Sequence, residues 1–580
     1  MSASTKKKLR KEENAQVMTE RQKQERAEAK KTKTITAVFV VAVALVFCIF
    51  VGSIGASLFT SYGIAERFTT AATVGDHKIN SIMMNYFFYD AVESDYSYLE
   101  QTYGEYASYF LGYDTSKPLN EQQYDDSGKT WADHYVEAAI ENAKAIYSVY
   151  DHAMANGFEI TDEVQQIIDS NMSQITIYEA LGYSAKAMLQ SIYGSGANLK
   201  SYEDYITLKV VASSYYQQHQ DSLSFDSAAI DAYESEHFND FSSYDFYSYY
   251  IKCDDYLTGG TTDENGTTTY SDEEKEAARA AAEADANSLL TATNQEELDA
   301  AIAALYAKNN AEADVEENET ETTEPEATEG ETEDASEPEE TEPAETVPTA
   351  TLNSDQNHTS LPEDYAQWLG ASERAANDIK VFPYNTTDAE GNETVTGYYV
   401  LMYVARDDKN DLMSNIRQIL ITPEGGTTDD SGNTTYTDEK WAAAKAKADE
   451  LLAQWQAGEA TEESFTALVA DNSKDTNSSA NGGLYEDIHE DYQNLDSAVL
   501  SWTLDEARTA CETSVIKTST GYSIVFYVGE DDLTYRDYMI TQTLISNAMT
   551  EWEDGIVANV TATPGNDSRI NKGLIYSTAS

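Results

Sequence analysis

Residues 473–487, SKDTNSSANGGLYED, concentrate side chains that could do chemistry between a helical pattern and a strand pattern. The carboxylate of Asp475 stands among serine and threonine hydroxyls, and two adjacent glycines, Gly482 and Gly483, follow it. Such a stretch could form the rim of an active site. A glycine pair in a polar neighbourhood is also typical of a plain surface turn. The residue types of this stretch leave both interpretations open.

Metal and cofactor chemistry finds no support in the residue spacing. The seven histidines are scattered and form no zinc pattern with cysteine. The segments TTDENGTTTYSDEE at 261 and TTDDSGNTTYTDEK at 427 lack the EF-hand spacing of glycine and glutamate, and they favour hairpin tips. No P-loop, dinucleotide fingerprint or GxSxG motif is present. We therefore predict no metal site and no cofactor.

An N-terminal membrane anchor is indicated by charge and hydropathy. Residues 1–34 carry eleven basic and five acidic residues, and residues 35–59 contain no charged residue. An apolar run of this length crosses a bilayer as one helix, and basic residues on its N-terminal side place that side in the cytoplasm. We expect a basic cytoplasmic tail, a single transmembrane helix, and everything that follows outside the cell membrane.

The charge of the predicted exterior part limits its partners. Outside the tail the chain has 26 basic and 98 acidic residues. A surface with this excess of negative charge repels nucleic acid, so nucleic-acid binding is excluded. Only Cys253 and Cys511 lie beyond the predicted span, so no disulfide framework is expected.

The body of the chain divides into a helical part and a repeated part. Residues 65–240 follow mostly helical spacing, with a helix predicted from Trp131 that ends before Gly157. The two segments at 261 and 427 agree at nine of fourteen positions. GYYVLMYVARDD at 397 and GYSIVFYVGEDD at 521 agree at six of twelve. This self-similarity predicts two copies of one α+β domain.

The first copy is longer because of a low-complexity stretch. Residues 310–350 include EENETETTEPEATEGETEDASEPEETEPAETVP, which has almost no apolar side chains. Such a composition cannot bury enough surface to fold, so we predict a disordered acidic insertion there.

The second copy resembles the parvulin family of peptidyl-prolyl isomerases. The order of its elements over residues 414–532 is similar to that family. Its motif is matched by Phe465, Leu468, Ala470, Ser473, Asp475, Ser478, Ser479, Ala480, Gly482 and Gly483. The flanking segments AATVGDHKINSIMMNYFFYD near the anchor and residues 533–580 are similar to the helical chaperone region of PrsA/SurA-type extracytoplasmic foldases. The resemblance implies that residues 65–240 form a chaperone domain, to which the C-terminal helix and strand return.

The resemblance also implies a site. Carried over by position, the catalytic acid is Asp475 and the small hydroxyl residue is Thr520, while two facing histidines of the family are replaced by Gln418 and Ser523. Gln418 and Ser523 can still hydrogen-bond each other across the sheet. A role for Asp475 as a turn-capping carboxylate stays open beside the catalytic one. The seat for the proline ring would involve Tyr492 and Leu495, with Gly482 and Gly483 at the rim.

The resulting prediction is an α+β multidomain protein with an N-terminal transmembrane helix, a helical chaperone domain and two parvulin-like domains. The first of these, residues 241–408, is degenerate, interrupted and without activity. The implied function is a membrane-anchored foldase and prolyl isomerase with a weakened site, acting on unfolded or extended secreted polypeptides. The alternative is a non-catalytic chaperone or surface scaffold that keeps the parvulin fold to bind peptides.

Overall fold

The computed structural model describes residues 63–180, 182–263, 266–319, 347–387, 391–428 and 434–576. The predicted tail and the predicted span at 35–59 lie outside these residues. Within the described ranges no helix is both long and apolar enough to cross a membrane. The described residues form two compact units, one of residues 63–224 together with 545–576, the other within residues 225–544. The sequence interpretation placed the corresponding boundaries at 240 and 533.

The first unit is mainly helical. Its helices bury their apolar faces in one core that includes Tyr86, Phe87 and Tyr205. The helix predicted from Trp131 begins at a capping box formed by Thr130 and Asp133. The helices of this unit are α1 (Ile64–Phe68), α2 (Ser81–Tyr103), α3 (Ala107–Phe110), α4 (Trp131–Ala155), α5 (Asp162–Ala180), α6 (Ala185–Tyr193) and α7 (Leu199–Ser222).

A small sheet joins the two ends of the chain within this unit. Strand β1 (Thr70–Val74) pairs antiparallel with β2 (His77–Asn80) on one side and with β15 (Ala562–Pro564) on the other. The register places Ala72 opposite Pro564. The C-terminal strand therefore completes a three-stranded sheet with the first two strands of the described chain.

The second unit contains two four-stranded antiparallel sheets of identical topology. The strand order is β6-β3-β8-β7 in the first sheet and β12-β9-β14-β13 in the second. The first sheet has β3 (Ser243–Lys252), β6 (Thr351–Asn357), β7 (Ile379–Thr387) and β8 (Glu393–Asp407). The second has β9 (Leu412–Ile421), β12 (Leu484–Ile488), β13 (Thr513–Lys517) and β14 (Tyr522–Thr534).

Helices cover one face of each sheet. Successive residues of a strand point to opposite faces, so alternate residues of each strand pack against the helices. In the first copy Ala282, Ala286 and Ile302 pack against Val400 and Met402. In the second copy the same layer joins Ala448, Trp455, Phe465, Ile524 and Phe526. The helices of this unit are α8 (Ser227–Glu236), α9 (Asp272–Ser288), α10 (Gln295–Glu319), α11 (Glu363–Leu369), α12 (Asp438–Ala457), α13 (Glu462–Asn472), α14 (Ser497–Thr503) and the first part of α15 (Tyr535–Val557).

The predicted hairpin tips are confirmed. Strands β4 (Thr261–Thr262) and β5 (Thr268–Thr269) form one two-stranded ladder, and β10 (Thr427–Thr428) and β11 (Thr434–Thr435) form the other. A threonine pair bridges each hairpin, with hydroxyl oxygens 3.0 Å apart in the first and 2.9 Å apart in the second.

The predicted limits of the disordered insertion at 310–350 are wrong. Helix α10 continues to Glu319, because the first residues of the stretch are rich in alanine and glutamate, which favour helix. At the other end the amide of Ala350 donates to Asp299 Oδ1 at 2.9 Å, and the side chain of Ala350 is buried. Residues 320–346, the centre of the predicted insertion, lie outside the described residues.

Candidate functional site

Residues 473–487 are joined to strand β9 at their start. The hydroxyl of Ser473 accepts hydrogen bonds from the amides of Leu420 and Asp475, at 3.1 and 3.2 Å. The amide of Lys474 donates to the carbonyl oxygen of Leu420 at 2.8 Å. The chain that follows helix α13 is thereby held against the sheet before it turns.

The glycine pair returns this loop to the same strand. Gly482 and Gly483 have φ angles of 73° and 78°, in the left-handed region that favours glycine. A Cβ on Gly483 would lie 2.5 Å from the carbonyl oxygen of Gln418, and the carbonyl of Gly483 accepts the amide of Gln418 at 2.8 Å. Gly483 therefore permits a close backbone approach that no side chain would allow.

Asp475 is the centre of a buried hydrogen-bond network. Its Oδ2 accepts from the hydroxyl of Ser478, from Tyr485 Oη at 2.8 Å and from Gln418 Nε2 at 3.2 Å. Its Oδ1 accepts the amide of Asn477 at 3.1 Å. Burial acts to raise the pKa of Asp475, but the hydrogen bonds, led by that of Ser478, outweigh it and lower the pKa below its usual value. The carboxylate is therefore charged at neutral pH.

Gln418 and Ser523 lie on the same face of the second sheet, and both are buried. Their side chains form no hydrogen bond with each other, since the two residues lie diagonally across the strand pair. Gln418 lies opposite Val525, and Ser523 lies opposite Leu420. The side-chain amide of Gln418 donates to Asp475 Oδ2 instead.

Tyr492 and Leu495 pack beside this network. Both are half-buried against an apolar cluster of Ile416, Tyr485, Ile488, Val499, Val525 and Tyr527. The rings of Tyr485 and Tyr492 meet edge to face with centroids 6.3 Å apart. The structure therefore brings Gln418, Asp475, Ser523, Tyr492 and Leu495 to one face of the sheet.

Thr520 lies at the exposed turn between β13 and β14. The buried hydroxyl of that turn belongs to Thr518, whose Oγ1 accepts the amide of Gly521 at 3.0 Å. Thr518 is therefore the residue that fixes the turn.

The family of this region is decided by a comparison with family profiles. Residues 398–528 match the profile described as the PPIC-type PPIASE domain. This part of the chain is a PPIC-type domain. The recognition of a parvulin-type isomerase domain from the sequence is confirmed, and the matched range begins within strand β8, the last strand of the first copy.

Solved structures similar to this chain include three foldases. The crystal structure of PrsA from Bacillus subtilis is 11% identical, with 77% of this chain and 93% of that chain covered and a TM-score of 0.26. Peptidylprolyl isomerase (PrsA) from Bacillus anthracis is 16% identical, with 26% and 59% covered and a TM-score of 0.16. Foldase protein PrsA from Streptococcus pneumoniae is 14% identical, with 29% and 58% covered and a TM-score of 0.15. No curated protein matches the sequence.

One residue of the buried Asp475 network, Tyr485, was missed by the sequence reasoning. Tyr485 and Ser478 both donate to Asp475, yet only Ser478 had been noted, and then only as part of a motif. The signal for Tyr485 was its place two residues after the glycine pair, at the start of a strand pattern. Its side chain points to the site because β12 pairs with β9, which places Tyr485 opposite Ile416.

One group of three carboxylates is close enough together to suit a metal ion, but a lysine ammonium group lies among them. The carboxylates of Asp355, Asp407 and Glu490 lie close enough together to hold an ion. The ammonium group of the buried Lys409 forms an ion pair with each of them. Burial acts to lower the pKa of Lys409, but the three carboxylates outweigh it and raise the pKa. This cluster connects the first copy to the second instead of presenting an open metal site.

Proposed function

We propose that the protein is a membrane-anchored extracytoplasmic foldase that combines a slow peptidyl-prolyl cis-trans isomerase with a chaperone for secreted polypeptides. The observation that carries the isomerase part is a buried, charged Asp475 on the groove face of a PPIC-type domain, joined to Gln418 of the neighbouring strand.

Prolyl isomerisation breaks no bond between heavy atoms. The barrier, about 20 kcal/mol, comes from the resonance of the X-Pro amide, so a catalyst must hold the twisted amide and shield it from water. In this domain Tyr492 and Leu495 offer an apolar surface for the proline ring, while Asp475 holds the side-chain amide of Gln418 in place. Asp475 acts as a positioning residue, since its bonds go to groups of its own chain.

The weakened site follows from two substitutions that the family resemblance identified. Gln418 cannot titrate, and Ser523 is too short to fill the place of an imidazole ring. We expect the groove to be wetter around the substrate amide, which reduces the electrostatic advantage of a dry site. Groups of this kind contribute about 10²–10⁴-fold to rates, which sets the scale of the expected loss.

A non-catalytic peptide-binding role is the second candidate. The observation that favours it is the saturation of Asp475, whose four hydrogen bonds all come from its own domain. A carboxylate held in this way caps a turn and supports a fold without any substrate.

A proline-limited refolding assay on the whole chain separates the two candidates. We expect a weak acceleration of the slow phase by the unmodified protein and its loss in Asp475→Ala. Asp471→Ala, which changes an exposed carboxylate at the end of α13, serves as the matched control and should keep the acceleration. A higher refolding yield without any acceleration would exclude the isomerase and support the binding role.

The chaperone part is supported by exposed aromatic rings in the first unit. Tyr98, Tyr106, Tyr109 and Phe110 expose between 53% and 81% of their surface. Exposed apolar groups gathered in one segment mark binding surfaces on soluble proteins. We expect the combined change Tyr106→Ser and Tyr109→Ser to reduce suppression of client aggregation. Ile160→Ser, which changes another exposed apolar residue of this unit, should leave it intact; equal suppression by all variants would contradict the proposal.

The anchor and the location are proposed from the charge-free run at 35–59 and the basic tail before it. Protease treatment of intact cells should remove the body of the protein and leave a membrane fragment. Survival of the body in intact cells, with digestion after lysis, would contradict this orientation.

A further inference from the structure

The first copy carries aromatic side chains where the PPIC-type domain has its groove residues. In the second sheet Leu420 lies opposite Ser523, one step along the same face from Gln418 and Val525. At the corresponding register of the first sheet, Tyr250 lies opposite Tyr399. The same face that holds a polar network in one copy therefore holds tyrosines in the other.

These tyrosines form a cluster with a defined geometry, which we name the tyrosine face and define as Tyr250, Tyr365, Tyr384 and Tyr399. The rings of Tyr250 and Tyr399 have centroids 4.7 Å apart. The ring of Tyr384 stands nearly perpendicular to both, at 86° and 82°, with centroid distances of 5.8 and 5.7 Å. Tyr365 of α11 adds a fourth ring, 6.1 Å from Tyr399 at 68°.

A glycine makes room for the first of these rings. A Cβ on Gly397 would lie 2.3 Å from Tyr250 Oη and 2.4 Å from two ring carbons. The ring of Tyr250 therefore lies directly on the backbone of β8, and its hydroxyl donates to the carbonyl of Thr396 at 3.3 Å. Because the ring of Tyr384 is nearly perpendicular to the rings of Tyr250 and Tyr399, the surface formed by the three rings is stepped.

The tyrosine face is open to a partner. Tyr384 exposes 44% of its surface, and the other three rings are half-buried. The hydroxyls of Tyr365, Tyr384 and Tyr399 form no hydrogen bond with any described residue. Tyrosine combines an apolar ring with a polar tip, so this face offers both stacking surface and hydrogen-bond donors.

We propose that the tyrosine face binds proline-containing extended segments of polypeptide clients, so that the first copy holds a chain on which the second can act. Such segments keep unpaired backbone carbonyls and lose little entropy on binding, and aromatic-lined grooves elsewhere recognise them for these reasons. We infer a proline-containing segment as the ligand because the tyrosine face corresponds strand by strand to the groove face of an isomerase-family domain. This inference rests on the proposed foldase function.

Photo-crosslinking on the full-length chain tests this site. The probe is a decapeptide of glycine, serine and lysine with two prolines, each beside a photoreactive leucine; a second peptide replaces both prolines by alanine. We expect crosslinks in residues 243–256 and 379–403 with the first peptide, and about tenfold fewer with the second. Tyr384→Ser should also reduce them about tenfold, the effect of losing a central tyrosine contact.

The control variant is Leu352→Ser, which changes an exposed residue opposite Tyr247, on the other face of the same sheet. It should leave the crosslinks unchanged. Because 44% of the Tyr384 surface is exposed, its substitution should leave the copy folded while it tests binding. Crosslinks that occur only in the second copy, or that persist in Tyr384→Ser, would overturn the inference while leaving the isomerase proposal intact. Crosslinks that depend on Tyr384, together with refolding catalysis that is absent, would support this site and remove the isomerase.

Discussion

The two copies of the second unit share their strand order and an arginine–tryptophan contact, and they differ in residues on one face of the sheet. In each copy an arginine lies over a tryptophan of the short helix, with guanidinium-to-ring distances of 4.6 Å for Arg374 and Trp368 and 4.2 Å for Arg508 and Trp502. The Nε of each arginine donates to the carbonyl of the same tryptophan, at 3.1 and 3.0 Å. The strand order of the two sheets is the same.

Comparison of the two copies separates the contacts that both retain from the positions at which they differ. The helix-covered face and the arginine–tryptophan corner are retained in both copies. The opposite face holds Gln418 and Ser523 in one copy, and Ser248 and Tyr399 at the matching register in the other. These two positions carry different side chains in the two copies, while buried apolar and aromatic residues surround them in both.

The largest effect is expected from Gly483→Ala in the second copy. A methyl group would meet the carbonyl oxygen of Gln418, and the residue would hold a left-handed φ. The combined cost is about 3 kcal/mol in the free energy of unfolding. Calorimetry should show a lower unfolding midpoint than that of the unmodified chain.

The control is Gly555→Ala in helix α15, where no atom lies within 4 Å of the added Cβ. It should stabilise by about 1 kcal/mol, because alanine favours helix over glycine. Equal behaviour of the two variants would show that the glycine pair is a plain surface turn.

An intermediate effect is expected from Asp475→Asn. The change removes the charge that accepts bonds from Ser478, Tyr485 and Gln418, at a cost of about 2 kcal/mol near neutral pH. Because the folded pKa of Asp475 lies below the unfolded one, its contribution is present above about pH 4 and is lost as the pH falls through the folded pKa. Denaturation curves of both proteins from pH 3 to 7 should converge at the acid end. A difference that stays constant down to pH 3 would contradict the network.

The smallest effect is expected from Arg374→Lys and Arg508→Lys. Lysine keeps the charge but loses the planar stacking and the Nε donation to the tryptophan carbonyl. Each variant should lose about 1 kcal/mol, and the double variant about the sum, since separate contacts add. Strongly unequal losses would mean that the two copies are not supported in the same way.

The fold could be predicted where the sequence repeats itself. The matched segments at 261 and 427 indicated two hairpins, and the segments at 397 and 521 indicated two equivalent strands. The end of helix α10 could not be read from composition, because an acidic, alanine-rich segment suits both a helix and a disordered chain. The site was predicted at Asp475 and Gln418, but their bond depends on which residues pair across the sheet. That register also separated Ser523 from Gln418, and it is set by tertiary contacts that the sequence does not display.

The central claim is that one copy keeps an isomerase frame and the other does not, and paired histidines test it most directly. Gln418→His with Ser523→His restores both rings in the second copy, and Ser248→His with Tyr399→His places the same rings at matching register in the first. The measurement is the rate of proline-limited refolding catalysed by each full-length variant. We predict a clear gain for the first pair, within the 10²–10⁴-fold range of such groups, and none for the second. Equal rates for the unmodified chain and both variants would contradict the account.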